Sequence, residues 1–176
     1  MNTHKEIIVT QYRSTHPGEM GRWATKKDLA KQLYKVASSG FNGHSPWGRN
    51  GLEASMDSPN TVLLLAFIDD EIVGFLMASE TELELDIYII VVAKTEKEKG
   101  VGTKLLEHLI EYGHDQKMAS IMLETRASNT AAKNLYKKVG FKEVGLRKAY
   151  YSSPIEHAVV MQYDLRKEIP DCSFYP

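Results

Sequence analysis

Between residues 83 and 125 the hydrophobic pattern switches from strand to helix and back to strand, and that order leaves few folds open. LELDIYIIVVA at 83–93 reads as a strand. Its first half alternates, with Leu83, Leu85 and Ile87 set against Glu84, Asp86 and Tyr88. Its second half, Ile89 to Val92, is apolar on both faces, which predicts cover on both sides, by core or by ligand. A charged turn, KTEKEK, leads into a helix from about Gly100 to Tyr112, with Val101, Leu105, Leu109 and Tyr112 as its core stripe. ASIMLET at 119–125 is again a strand. Strand, helix, strand in this order implies a right-handed crossover and a parallel strand pair.

Antiparallel elements surround that unit. TVLLLAFI at 61–68 is almost wholly apolar and predicts a strand buried on both faces. Asp69 and Asp70 mark a tight turn, and IVGFLMA at 72–78 is the return strand of a hairpin. EIIVTQY at 6–12 reads as a first strand, followed by a loop holding Pro17, Gly18 and Gly21. KKDLAKQLYKVA at 26–37 has Leu29, Leu33 and Val36 at helical spacing. Residues 41–51 read as a loop with two outward aromatics, Phe41 and Trp47, before a short helix around Leu52 to Met56. A helix at 129–139 and two final strands, KEVGLRKAYY and HAVVMQYDL, complete the chain. The expected fold is a single α/β (α+β) domain over 1–176. Its sheet is mixed and mostly antiparallel, with about seven strands, about four flanking helices and a central parallel pair.

Composition removes several classes of function. A net charge of −1 implies no general attraction to nucleic acid or to an anionic membrane, so any phosphate binding needs a local site. The single Cys172 excludes a disulfide framework and a cysteine metal cluster. The six histidines show no ligand spacing, so no metal is expected. No apolar run approaches the roughly 18 residues of a membrane span. Ile7, Ile8 and Val9 beside Glu6 do not make a signal peptide, and a cytoplasmic location is expected.

Four features could carry chemistry. Lys97, Glu98, Lys99, Gly100, Val101, Gly102 and Thr103 bridge a buried strand and a helix. Glycines permit a tight turn and close approach of a ligand, and the first helical turn offers N–H groups to a pyrophosphate. A plain turn is the other reading. Leu105 stands where the third glycine of G-x-G-x-x-G would be, which disfavours a nicotinamide cofactor and a phosphate-binding redox domain. Glu124 ends an apolar strand as a candidate base, or as a strand-end carboxylate in solvent or paired with Arg126. Tyr136 is a candidate acid, or a packing tyrosine beside Ala132 and Val139. Asn129 offers an amide, or simply caps a helix. Their coincidence, one crossover after the glycine loop, is not well explained as separate accidents.

LETRASNTAAKNLYKKVGF, residues 123–141, resembles a motif of the GNAT acetyltransferase superfamily nearly residue by residue. The loop at 97–103 resembles that superfamily's Q/R-x-x-G-x-G/A loop, with two departures. Lys97 keeps the charge of the first position without its planar fork, and Glu98 brings a negative charge close to the phosphates. The resemblance implies acetyl-CoA as co-substrate. Its pantetheine arm would lie along the backbone of Ile90, Val91 and Val92, and its pyrophosphate on residues 97–103. Asn129 would contact CoA, and Tyr136 would lie near the thioester sulfur. Within the superfamily the chain is most similar to the bacterial ribosomal-protein N-terminal alanine acetyltransferases. It shares their LE-x-R-A-S-N run and a tyrosine pair after two basic residues, here Arg147, Lys148, Tyr150 and Tyr151. Pro46–Trp47 matches a substrate-side loop more loosely, and the resemblance spans about residues 45–165. It implies Glu124 as general base, Tyr136 as general acid, and a protein N-terminal amine as acceptor. A lysine side chain, a polyamine or another small amine is the alternative acceptor. A non-catalytic acyl-CoA-binding module is the alternative class.

Overall fold

In this computed structural model, which describes residues 5–12, 25–43 and 45–168, the apolar strands form a mixed sheet. The strand order among the described residues is β1-β2-β3-β4-β5-β7-β6, seven strands in all. The loop expected around Pro17, Gly18 and Gly21, and Cys172, lie outside the described residues. The chain forms two compact units. One comprises Met1–Ser79 and Ile89–His108, the other Glu80–Tyr88 and Leu109–Pro176.

The first unit begins with β1 (Ile8–Tyr12), antiparallel to β2 (Thr61–Ile68) in the register Ile8↔Phe67 to Tyr12↔Leu63. β2 turns through Asp69 and Asp70, both at positive φ, into β3 (Glu71–Glu80). Aspartate tolerates that left-handed conformation better than a branched residue would. Val62 to Phe67 are all buried, as an apolar strand covered on both faces must be. The register shifts between Ala66 and Phe67, which face Gly74 and Ile72, so Val73 is the extra residue of a bulge.

Helix α1 (Lys26–Gly40) starts at Thr25, whose hydroxyl accepts from the Asp28 amide at 3.1 Å. It buries Leu29, Leu33 and Val36 as the spacing predicts. Helix α2 (Arg49–Asp57) buries Leu52 and Met56 and starts earlier than expected. Phe41 and Trp47 are half-buried, not outward. The Ser45 hydroxyl donates to the Trp47 carbonyl at 2.9 Å and so closes a tight local turn there.

Strand β4 (Glu84–Val92) alternates along its whole length. Leu85, Ile87, Ile89 and Val91 are buried, whereas Ile90 and Val92 are half-buried. The protein therefore covers one face of the strand end and not both. Leu83 is exposed because the strand begins one residue later than its sequence suggests, although Leu85 and Ile87 keep the expected phase. Helix α3 (Val101–Asp115) buries Val101, Leu105, Leu106 and Leu109. Tyr112 is half-buried instead, and its hydroxyl donates to Glu80.

In the second unit β5 (Ser120–Arg126) lies parallel to β4 in the register Glu84↔Ser120 to Ile87↔Leu123, as the crossover predicts. Helix α4 (Thr130–Val139) follows, and Gly140 ends it at φ 119°, where an L side chain would be strained. A Cβ at Gly140 would also come within 3.0 Å of the Tyr163 ring. Strands β6 (Lys142–Ser152) and β7 (Ile155–Asp164) form the final antiparallel pair, and β7 also pairs antiparallel with β5.

Candidate active site

The glycine loop is built from the end of α1 upward. Gly40 packs on the last residues of β4. A Cβ there would stand 2.3 Å from Val91 Cγ2 and 2.6 Å from the Val92 carbonyl. The Gly40 carbonyl accepts from Lys97 Nζ at 2.7 Å, and the Ser39 hydroxyl accepts from the Lys94 amide at 3.1 Å. Lys97 thus sits at the carbonyl end of a helix, where the helix dipole favours a cation. A short 3₁₀ turn, Lys94–Glu96, precedes it. Glu98 and Gly100 both have positive φ, 64° and 90°, and both are exposed. Lys99 pairs with Glu96 at 3.1 Å. The Gly100 carbonyl accepts from the Lys104 amide at 3.0 Å, the first bond of α3. Val101 goes into the core, while Gly102 and Thr103 are half-buried. The amides of this first turn have no partner within the helix, and the dipole's positive end lies there, so the turn suits an anion. Beside it, Ile90 and Val92 offer a half-open apolar face.

Glu124, Tyr136 and Asn129 lie in the second unit. Glu124 occupies β5 directly after the last parallel pair and opposite Val160 of β7, with its side chain 23% exposed. Its Oε1 is 2.9 Å from Arg147 Nε, and the Tyr150 hydroxyl donates to its carboxylate. That bond and the negative charge of Glu124 raise the Tyr150 phenol above its ordinary range. Glu124 is therefore paired, but with Arg147 of β6. Arg126 turns to Glu156 at 3.1 Å. Asp86 of β4 belongs to the same electrostatic group. Partial burial first, then the charges of Glu84 and Glu124, raise its carboxyl, and Arg147 offsets them in part.

Tyr136 is 6% exposed. Its ring packs on Phe141 at 5.9 Å, and Phe141 packs on Tyr163 at 5.5 Å. Burial, and then the charge of Tyr151, pushes the Tyr136 phenol far above its usual range. The packing reading is thus right, and it also makes Tyr136 a hydroxyl that stays protonated. Asn129 is the N-cap of α4, its Oδ1 accepting from the Ala132 amide at 3.1 Å.

Sequence reasoning missed Gly40, Ser39 and Glu156. A glycine at a helix end signals a cap, and nothing in its neighbours tells which strand it will meet. Among the described residues no group of three His, Cys, Asp or Glu side chains could hold a metal ion, and no helix is long and apolar enough to cross a membrane.

Comparison with known proteins identifies the family. Residues 28–141, more than half of the chain, match the acetyltransferase (GNAT) family. The chain is 29% identical over 154 residues to N-alpha-acetyltransferase RimI of Mycobacterium tuberculosis, covering 85% of this chain and 94% of that protein. It is 35% identical over 95 residues to the ribosomal protein bS18-alanine N-acetyltransferase of Salmonella typhimurium, covering 53% of this chain and 64% of that protein. In fold it is similar to the crystal structure of the ribosomal-protein-S18-alanine N-acetyltransferase from Escherichia coli. The TM-score is 0.77 at 21% identity, over 97% of this chain and 100% of that one. A mixed sheet with its parallel β4–β5 pair, a glycine turn opening α3 and this sequence match lead to one conclusion: the chain belongs to the acetyltransferase (GNAT) family and is an acetyl-CoA-dependent N-acetyltransferase.

Proposed function

We propose that the chain acetylates the α-amine of a protein N-terminus, that of a ribosomal protein in particular, with Glu124 as general base and Tyr136 as general acid. The observation that carries this reading is chemical. A partly exposed carboxylate held by Arg147 and Tyr150 stands on β5, and a buried tyrosine that remains neutral stands on the helix that follows. The names of the relatives support the choice of acceptor.

The amine nitrogen attacks the thioester carbonyl, the C–N bond forms, the C–S bond breaks, and CoA leaves as its thiol. A peptide α-amine has a pKa of about 7.7–8.0, so roughly a tenth is neutral near pH 7, hundreds of times more than for lysine at about 10.4. Glu124 has only to take the proton released as the bond forms, directly or through water. Tyr136 donates to the sulfur as negative charge develops there. A thiol pKa of about 8.5 lies well below that of a buried phenol, so the donated hydrogen bond matters more than early transfer of the proton. The acidic surroundings of Glu124, with Asp86 and Glu84, suit a cationic acceptor, which must displace Arg147 to reach the base.

The first unit supplies the co-substrate site in this reading. The backbone of Ile90 to Val92 takes the pantetheine arm, and residues 97–103 take the pyrophosphate. Because Lys97 is engaged by Gly40, backbone amides rather than its ammonium hold the phosphates. Asn129 adds a contact to CoA. Catalysis in the cytoplasm is part of the proposal.

Thiol release from acetyl-CoA, measured against Ala-initiated peptides, lysine peptides and polyamines, tests the reading, with mass spectrometry locating the acetyl group. The α-amine peptides are expected to react fastest. Much faster reaction of lysine side chains or polyamines overturns the acceptor assignment.

A further inference from the structure

The LE-x-R-A-S-N run contains two residues that the chemistry above does not use, Arg126 and Ser128. The structure brings both to the β6–β7 hairpin. Arg126 Nη1 donates to Glu156 Oε2 at 3.1 Å and to the Pro154 carbonyl at 3.4 Å. Its Nη2 donates to the Ser153 carbonyl at 3.1 Å, and its Cζ lies 4.1 Å from the centre of the Tyr151 ring. The other carboxylate oxygen of Glu156 accepts from the Ser128 amide at 2.6 Å. The Ser128 side chain, then this amide bond, then the Arg126 guanidinium hold the Glu156 carboxyl below its usual range. The Ala127 amide donates to the His157 carbonyl at 3.0 Å.

One segment, 126–129, leads from the strand of Glu124 into the helix of Tyr136. The other, 151–156, closes the hairpin whose β6 strand carries Arg147 and Tyr150, both of which hold Glu124. Packing does little to fix that hairpin. β6 is exposed at every residue except the half-buried Tyr151, and its pairing with β7 is interrupted by two register shifts. A planar guanidinium with three acceptors and an aromatic face below it is a stiff alternative to packing.

We propose that Arg126 and Glu156 form a clamp that fixes the β6–β7 hairpin, and with it Tyr150 and Tyr151, relative to Glu124, and that the clamp sets acceptor binding. Both are positioning residues, not catalytic ones. The effect on acceptor binding rests on the acyl-transfer reading above. The clamp itself does not.

Arg126→Lys keeps the charge and loses the fork, and Glu156→Gln keeps the size and loses the charge. In the full chain without ligands, amide hydrogen exchange over 150–155 should quicken about tenfold or more in either variant, since the local opening loses its main restraint. The acceptor-peptide KM should rise about tenfold, while the acetyl-CoA KM and the calorimetric CoA affinity stay within about twofold. The double variant should be little worse than either single one, because both break the same contact. Exchange and acceptor KM both close to wild type, or an acetyl-CoA KM that rises in step with the acceptor KM, would overturn the proposal. If Arg126→Lys does not fold, Glu156→Gln, at a partly exposed side chain, carries the same test. If the wild-type chain acetylates no amine, the acyl-transfer reading fails, and hydrogen exchange still decides whether the clamp exists.

Discussion

Glu124 and Tyr136 differ in what surrounds them, and that difference predicts how their variants behave. Glu124 meets an arginine, a tyrosine and partial solvent, and Tyr136 meets the Phe141 ring and almost no solvent. Replacing Glu124 by Gln should lower turnover by about 100-fold or more at pH 7 and below. The loss should shrink as pH rises past about 8, because an α-amine then deprotonates unaided. Steady-state rates from pH 6 to 10 are the check, and a loss that is constant with pH would remove Glu124 from the role of base. Replacing Tyr136 by Phe should cost about 100-fold in turnover with CoA affinity unchanged, because the hydroxyl acts only in the transition state. Since burial raises this phenol, the wild-type rate should show no loss from its ionisation up to pH 10. A falling limb centred below that pH, absent in Tyr136→Phe, would contradict the environment described here.

Two elements are shaped by backbone constraints that bear on the co-substrate loop. Glu98 adopts a left-handed conformation that a β-carbon makes costly, on the order of 1 kcal/mol. Asparagine tolerates that conformation and carries no charge. Glu98→Asn should therefore raise stability by up to about 1 kcal/mol and tighten CoA binding about two- to fivefold by removing a nearby negative charge. Thermal melting and calorimetry measure the two effects separately, and a weakened CoA affinity would mean that the pyrophosphate lies elsewhere. Gly40→Ala places a methyl group against Val91 and the Val92 carbonyl, and overpacking of this kind costs about 1–3 kcal/mol. Urea unfolding should show that loss, and CoA affinity should drop as the end of β4 shifts. Strand β6 shows the opposite regime. It is an exposed edge with Val144 and Leu146 in solvent, interrupted by register shifts of the kind that discourage pairing with another chain.

For the molecule as a whole, a small net charge means that ligand affinity comes from local geometry and not from a general field. Acetyl-CoA at about 100 times its dissociation constant should add about 2.7 kcal/mol of stability by mass action. For a chain of this size that corresponds to a rise in melting temperature of about 5–10 °C. Differential scanning fluorimetry with acetyl-CoA, and with adenosine alone as control, checks it. No shift at saturating acetyl-CoA would argue against the loop at 97–103 as the phosphate site.

The local order of elements was determined by the sequence alone. Alternation, apolar runs and turn residues report the nearest few positions, and they placed β2, the Asp69–Asp70 turn, β4, α3, β5 and α4 close to where they stand. The same local signals marked Asn129 as a cap and ended the helix at residue 139, where α4 stops. Tertiary structure decided everything that depends on distant partners. Ile90 and Val92 look as buried as their neighbours by composition, yet one face of β4 stays half open, because burial depends on what packs above a strand and not on the strand itself. Arg126 looked like the partner of Glu124 by proximity, but side chains two apart on a strand run side by side, and the arginine that meets Glu124 comes from 23 positions later, at Arg147. Lys97 found a carbonyl at the end of a helix 57 residues away. Such pairings follow from the closing of the chain, which no window of neighbouring residues records.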